Sequence, residues 1–230
     1  MSVKYYPDMV QGSDEWLAIR CGLLTASEMK LVMTTNWKPS DNETTRAHVY
    51  KIVHQRATRY VPPHYISPDM LRGKYDEPEA RILYEKHRSP VTDIGFVTRD
   101  IRGFTLGYSP DGLVGNDGLL ECKSRREDLQ TKSIIEDYLD GTVPDDYILQ
   151  IQTGLLVTGR KWLDFVSYSN GEPMAVIRSF PDLELHEKII AAATAFEIKV
   201  AGKLEKYRQA IRPENGLIPT ERRIIQEMFL

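Results

Sequence analysis

Two short segments of this chain carry residue types that could do chemistry together. Gly107-Tyr108-Ser109-Pro110-Asp111-Gly112-Leu113 comes first, and Leu119-Leu120-Glu121-Cys122-Lys123 follows a turn. Side chains of a strand alternate between faces, so Glu121 and Lys123 project from one side and Cys122 from the other. A fold-back at Asn116-Asp117 brings Asp111 opposite Glu121, within one position of register. Two carboxylates and an ammonium then meet at one spot on a sheet. Neighbouring carboxylates repel unless a cation lies between them. Mg²⁺ suits such a pair, because it takes oxygen ligands and needs only one or two carboxylates; Mn²⁺ accepts the same donors. The backbone carbonyl of Cys122 could be a further oxygen ligand, and Lys123 could hold a water or offset charge on a phosphate. The chemistry implied is metal-assisted phosphodiester hydrolysis. A solvated hairpin bearing a Glu and a Lys two residues apart is commonplace. Leu113, Leu119 and Leu120 point instead to buried strands, where charge is costly without partners. Ser-Pro-Asp alone is weak, since Ser67-Pro68-Asp69 repeats it at a helix start.

Ser13 caps a short helix over Asp14 to Arg20, stopped near Gly22. Thr25-Ala26-Ser27-Glu28 opens a second helix carrying Met29, Val32 and Met33. A third spans Glu43 to Tyr60 and ends at Pro62-Pro63. Ser67-Pro68 starts a fourth, reaching His87 with possible breaks at Gly73 or Pro78. Val91 to Asp100, Thr105 to Leu113 and Leu119 to Ser124 have strand composition, the last two separated by the turn signal Gly115-Asn116-Asp117-Gly118. Helices are expected over Leu129 to Leu139 and Asp145 to Thr158. A strand pair follows, Trp162 to Tyr168 and Met174 to Phe180, then a long helix over Leu183 to Ala210 and a short one near the C-terminus. This is an α/β chain with a central mixed sheet, flanking helices and a helical N-terminal part.

Composition bounds the rest. With 230 residues, 41% hydrophobic and 27% charged, and a mean hydropathy of −0.39, the chain reads as one soluble globular domain, 1–230. No apolar run is long enough for a membrane helix, and the first residues lack a signal-peptide core. Two cysteines cannot make a disulfide framework or a four-thiolate cluster, so a reduced, cytoplasmic setting is expected. The five histidines show no zinc spacing and read as structural. A net charge of −3 does not advertise a nucleic-acid binder. Charge is uneven, however: Arg20 to Arg88 holds twelve Lys/Arg against eight Asp/Glu, whereas Glu127 to Gln150 holds one Lys against seven acids. A locally positive surface can therefore coexist with a negative total.

Pro110-Asp111…Glu121-Cys122-Lys123 resembles the PD-(D/E)XK nuclease pattern, and the chain as a whole resembles the phage lambda-type alkaline exonucleases of viral recombination. The likeness runs from about Trp16 to the Trp162 region. It includes Glu15-Trp16-Leu17-Ala18-Ile19-Arg20-Cys21-Gly22-Leu23-Leu24-Thr25-Ala26-Ser27-Glu28, Gly73-Lys74-Tyr75-Asp76-Glu77…Ala80-Arg81, Ser109-Pro110-Asp111-Gly112-Leu113 and Tyr147-Ile148-Leu149-Gln150-Ile151-Gln152. Each block alone is weak; four in order are specific.

The resemblance implies a restriction-endonuclease-like core and a Mg²⁺-dependent 5′→3′ exonuclease of duplex DNA that uses two metal ions. It implies a homotrimeric ring around DNA and a single-strand annealing partner. Asp111 and Glu121 carry over as metal ligands and Lys123 as the catalytic lysine. Glu77 carries over as a helical acid near the second metal, reached through water, though by composition it is one of several acids on a solvent face. Gln150 carries over as a glutamine that helps hold water and lysine. Tyr147 can share its helical face, while Gln152 falls elsewhere and reads as structural. Arg20 can clamp a phosphate, and Ser27 lies at a predicted helix start, where an N-cap role is the ordinary reading; in the family these positions bind the 5′-terminal phosphate. Ser109 is a further candidate near the metal. Met70 or Leu71 could wedge apart the terminal base pair, with core packing expected for at least one of them. Lys30, Lys38, Arg46, Arg72 and Lys74 are candidate backbone contacts. The competing readings are an endonuclease or RecB-like single-strand nuclease on the same core, and a non-catalytic module that binds DNA ends.

Overall fold

The structure, a computed structural model, describes residues 2–62 and 67–222. Pro63 of the expected helix stop, His64 and the chain from 223 onward lie outside the described residues.

A strand β1 (Val3–Tyr6) precedes helix α1 (Asp14–Arg20), whose first turn is closed by Ser13 accepting from the Trp16 N–H. A two-residue strand β2 (Leu24–Thr25) leads into a 3₁₀ helix (Ala26–Leu31), not the expected α-helix. Its cap is Thr25, which forms a capping box with Glu28. Helices α2 (Glu43–Thr58) and α3 (Pro68–His87) follow. The latter runs through Gly73 and Pro78 without a break. Pro78 removes only one intrahelical bond, and Ala80 and Tyr84 anchor the helix in the core.

The expected strand over Val91 to Asp100 divides into β3 (Val91–Thr92) and β4 (Phe96–Ile101). The division falls at Gly95, where a Cβ would stand 1.8 Å from the Met9 carbonyl oxygen, so the chain passes tightly beneath residue 9. The strand expected over Thr105 to Leu113 divides likewise into β5 (Phe104–Tyr108) and β6 (Gly112–Val114), at Ser109-Pro110-Asp111. Pro110 has no N–H to give a ladder. β7 (Gly118–Ser124) closes the predicted hairpin. A short helix α4 (Glu127–Lys132) passes into a π-helical turn (Ser133–Tyr138), and then come α5 (Asp145–Thr158), β8 (Trp162–Tyr168), β9 (Ala175–Ser179) and α6 (Leu183–Ala210). A 3₁₀ turn (Pro213–Asn215) ends the described elements.

The fold is mixed α/β, with its strands in two sheets where one was expected. One has the order β1-β4-β5-β2, the other β3-β6-β7-β8-β9. Both are mixed: β2 runs parallel to β5, and β7 parallel to β8, among antiparallel pairs. The two breaks are therefore crossings between sheets, and Asp111 lies at the second. Alternation along β7 then sorts its side chains. Leu120 and Cys122 pack with Ala80 and Tyr84 of α3, while Leu119 joins the main core with Phe165 and Ile151. Glu121 and Lys123 share the face of Leu119. Among the described residues no helix is long and apolar enough to cross a membrane.

Candidate active site

Gly112 pairs with Leu120, and the Asp111 N–H donates to the Leu120 carbonyl at 3.1 Å, so Asp111 stands one step further on, opposite Glu121. Asp111 Oδ2 accepts the Cys122 N–H at 2.6 Å. The register foreseen from the hairpin is thus the one formed.

Glu121 is 1% exposed, and a buried carboxylate needs partners for its oxygens. Tyr108 Oη donates to Oε2 at 2.6 Å, and Lys123 Nζ and Gln150 Nε2 donate to Oε1. Tyr108 reaches Glu121 because α5 presents Gly154 beneath its ring, where a Cβ would come within 2.7 Å of the phenol carbon. Gln150 and Tyr147 both lie on α5, as their shared face required. The Tyr147 ring packs 5.2 Å from Phe165, with Lys123 Nζ 5.8 Å from its centroid.

The electrostatics follow from this crowding. Burial raises Asp111 well above the usual carboxylate range, and the Glu121 and Glu77 charges raise it further, against the Lys123 ammonium and the Cys122 N–H. Glu77 keeps much surface open to water at the rim, yet the protein around its carboxyl desolvates it and raises it; Lys123 and Arg81 oppose that shift and Glu121 adds to it. Burial alone would lower Lys123, but Glu121 and Asp111 outweigh it and hold the ammonium protonated, above its ordinary value. Burial also raises the Cys122 thiol, which faces away toward α3 and stays free.

The acidic donors are oxygens, with no imidazole or thiolate among them, which suits a hard divalent cation. Among the described residues no three His, Cys, Asp or Glu side chains already converge on one point. Glu121 is held instead by Tyr108, Lys123 and Gln150. Mutual repulsion between Asp111, Glu121 and Glu77 is the strain that a cation would relieve, so the donor set fits one bound by few carboxylates.

Arg20, at the end of α1, stacks 4.1 Å from the Trp16 ring and donates to Ser109 Oγ at 3.0 Å. Trp16 Nε1 donates to the same oxygen at 3.1 Å. Burial lowers Arg20, and the Glu28 charge partly restores it. Of the residues expected at a terminal phosphate, Arg20 and Ser109 are thus in direct contact. Ser27 is exposed and, among the described residues, bonded only to Thr25 Oγ1 at 3.4 Å; the cap is Thr25, so Ser27 does not cap. Met70 and Leu71 are 48% and 45% exposed, so neither serves the core, contrary to expectation for at least one. Lys30, Lys38, Arg46 and Lys74 are exposed, while Arg72 donates to Ser124 Oγ at 2.9 Å, one residue past Lys123. Gln152 is structural, as expected: it donates to the Phe180 carbonyl at 2.9 Å and accepts from the Asp182 N–H at 2.9 Å. Glu127, Asp128, Glu136, Asp140, Asp145 and Asp146 are exposed.

Sequence reasoning missed Tyr108, Trp16, Gly154 and Arg125. Tyr108 sits inside the quoted Gly-Tyr-Ser-Pro-Asp block, but a strand tyrosine carries no sign of where its hydroxyl ends.

Two mixed sheets flanked by helices, with Asp111 at a crossing between them and opposite Glu121, and Lys123 on the face of Glu121, define a nuclease of the PD-(D/E)XK type. Residues 15–161 match the family model of the YqaJ-like viral recombinase domain, and the chain belongs to that family. The structure is similar to that of an alkaline exonuclease (LHK-Exo) from Laribacter hongkongensis, with a TM-score of 0.72 at 32% identity, covering 86% of this chain and 97% of that one. LHK-Exo in complex with dAMP superposes with a TM-score of 0.73 at 31% identity, with the same coverage. A phage related exonuclease from Haemophilus somnus 129PT shares the fold, at a TM-score of 0.55 and 13% identity over 80% of this chain and 96% of that one. No curated protein matches the chain.

Proposed function

We propose that this nuclease is a Mg²⁺-dependent 5′→3′ exonuclease of linear duplex DNA that works as a single domain, releases 5′-mononucleotides and leaves a 3′ single strand. The observation that carries the reading is the opposition of Asp111 and Glu121 across β6 and β7, with Lys123 on the same face. The relative's complex with dAMP, a deoxynucleoside monophosphate, is in keeping with a mononucleotide product.

Asp111, Glu121 and the Cys122 carbonyl would hold the first ion, and Glu77 a second through water; Mn²⁺ could replace Mg²⁺. When bound, such an ion polarises the phosphoryl oxygen and lowers the pKa of its water. Water adds to phosphorus and the bond from phosphorus to the 3′ oxygen breaks. The new end keeps the phosphate, and the released nucleotide takes a 3′ hydroxyl. Lys123 stays an ammonium in the field of Glu121 and Asp111, so its role is to donate a hydrogen bond and offset phosphoryl charge rather than to accept a proton. Gln150 fixes Glu121 and Lys123 from α5. Arg20, Ser109 and Ser27 receive the terminal 5′ phosphate. Tyr147 lies along the strand, and exposed Met70 parts the last base pair. A homotrimeric ring would turn basic surfaces inward on the DNA and acidic ones outward, in the host cytoplasm, and a single-strand annealing protein would take the 3′ strand.

Linear duplex labelled at each end in turn, digested with Mg²⁺ and then with chelator, tests the reading. Label should leave the 5′ end first as mononucleotide, closed circles should survive, and chelator should stop the reaction. Loss from the 3′ end first, or cutting of closed circles, would overturn it.

A further inference from the structure

β7 ends at Ser124, but the next residue keeps its pairing: the Arg125 N–H donates to the Tyr168 carbonyl of β8 at 2.7 Å. Strand alternation therefore sets Glu121, Lys123 and Arg125 in one row, about 7 Å from each to the next. Arg125 is 8% exposed, and its Nε has no hydrogen-bond partner among the described residues. Its other polar contacts are neutral. Nη1 donates to Tyr147 Oη at 3.0 Å, and Nη2 reaches Ser133 Oγ at 3.4 Å, the long limit for such a bond. The guanidinium lies 5.3 Å from the Tyr147 ring centroid.

A buried guanidinium without a carboxylate is an uncompensated cost. Nearby acids do not relieve it, because Asp128 pairs with Arg126 at 3.0 Å and Glu136 with Lys132 at 3.5 Å. Yet Arg125 borders open space: a hollow of about 530 Å³ lined by three arginines (Arg72, Arg125, Arg126) and three acids (Asp76, Glu127, Asp128). Asp76 there accepts from Ser124 Oγ at 2.5 Å. The hollow's Asp76 directly precedes Glu77 in the chain and its Arg125 lies two residues past Lys123, while its Asp128 is engaged by Arg126.

We infer that Arg125, braced by Tyr147, is an anion subsite for a nucleotide phosphate beside the one under attack, on a strand that passes along β7. The planar fork supplies two donors to phosphate oxygens, and the weak Ser133 contact is the one given up. The inference rests on the proposed nuclease reading. The phosphate is either a diester of the bound strand or the 5′ phosphate of the released mononucleotide.

The test uses the full chain, with Arg125→Gln and Arg125→Lys; binding is read on a 5′-phosphorylated duplex whose terminal linkages are phosphorothioates, and cleavage on the same duplex with ordinary linkages. For a diester contact, Arg125→Gln weakens binding about tenfold or more, and the slope of log affinity against log salt falls by about one; Arg125→Lys keeps the slope with a smaller loss. For a product contact, the slope holds, but inhibition of cleavage by a 5′-mononucleotide weakens about tenfold while inhibition by the nucleoside does not change. If both stay at wild-type values and only the melting temperature falls, Arg125 is a brace and the inference is wrong. Should Arg125→Gln not fold, Ser133→Ala serves instead: it is expected to leave the slope unchanged or strengthen binding, and a weakened slope there would overturn the assignment. Wild type that neither binds nor cleaves the duplex would sink the nuclease reading itself, a result distinct from any in the variants.

Discussion

Tyr108 holds Glu121 from the opposite sheet: its phenol donates to Oε2 at 2.6 Å, and Gly154 of α5 makes room for its ring. The strand that ends at Tyr108 continues directly into Asp111. One segment of chain therefore both supplies the first carboxylate and orients the second. Outer contacts of this kind typically change metal affinity by 10–100-fold. Tyr108→Phe should raise the Mg²⁺ concentration for half-maximal cleavage by roughly tenfold, with the maximal rate less affected. Gly154→Ala should do the same by displacing the ring, and should also lower the melting temperature. A metal titration of cleavage rate checks both, and an unchanged midpoint in Tyr108→Phe would remove the tyrosine from the site.

The raised carboxyls predict an unusual pH dependence for the metal-free protein. Asp111 and Glu77 hold protons to higher pH folded than unfolded. Where the native state binds more protons, stability falls as pH rises. Their contribution is complete below the unfolded range, about pH 4, and is lost as pH climbs through their raised folded values. Thermal melts in chelator should therefore weaken upward through that window, and Asp111→Asn should flatten the trend. Mg²⁺ needs the ionised carboxylates, so the melting-temperature gain on adding it should be larger at pH 8 than at pH 5. A gain independent of pH would mean that the ion binds elsewhere.

Glu121 and Asp111 hold Lys123 above its ordinary pKa, and the proposed reaction takes it as a charged donor. Lys123→Met should cost on the order of a hundredfold or more in turnover, with fold and DNA affinity largely kept. Single-turnover cleavage beside a binding isotherm separates the two. A rate within threefold of wild type would exclude the lysine from the chemistry.

Arg20 is aimed by Trp16 stacking and the Ser109 hydroxyl. Arg20→Ala should abolish the preference for 5′-phosphorylated over 5′-hydroxyl ends, slowing the former about tenfold or more and the latter little. If both ends slow equally, Arg20 supports the loop before Asp111 rather than a terminal phosphate.

Asp164 lies away from this chemistry. It is 2% exposed, accepts two bonds from Arg178 at 2.8 Å each, and takes the Tyr84 hydroxyl at 2.7 Å. Asp164→Ala leaves the buried Tyr84 hydroxyl unpaired and the half-exposed Arg178 free to water, and should cost about 1–3 kcal/mol of stability by denaturant unfolding. Activity at low temperature should survive.

The sequence alone determined the hairpin. Alternation, a strong turn and buried leucines set Asp111 against Glu121 with Lys123 alongside, because register is local once the turn is fixed. It also determined the order of the main helices and strands and, through four spaced blocks, the family. It could not decide that two apparent strands each belong to two sheets, since the breaks at Gly95 and Pro110 are set by what passes over them. Nor could it show that Ser109 rather than Ser27 meets Arg20, that Tyr108 ends on Glu121, or that Arg125 is buried without an acid. Those relations join residues between 13 and 89 positions apart. They depend on how helices close over the sheets, where packing and the need to satisfy buried charge choose among partners that local sequence leaves equivalent.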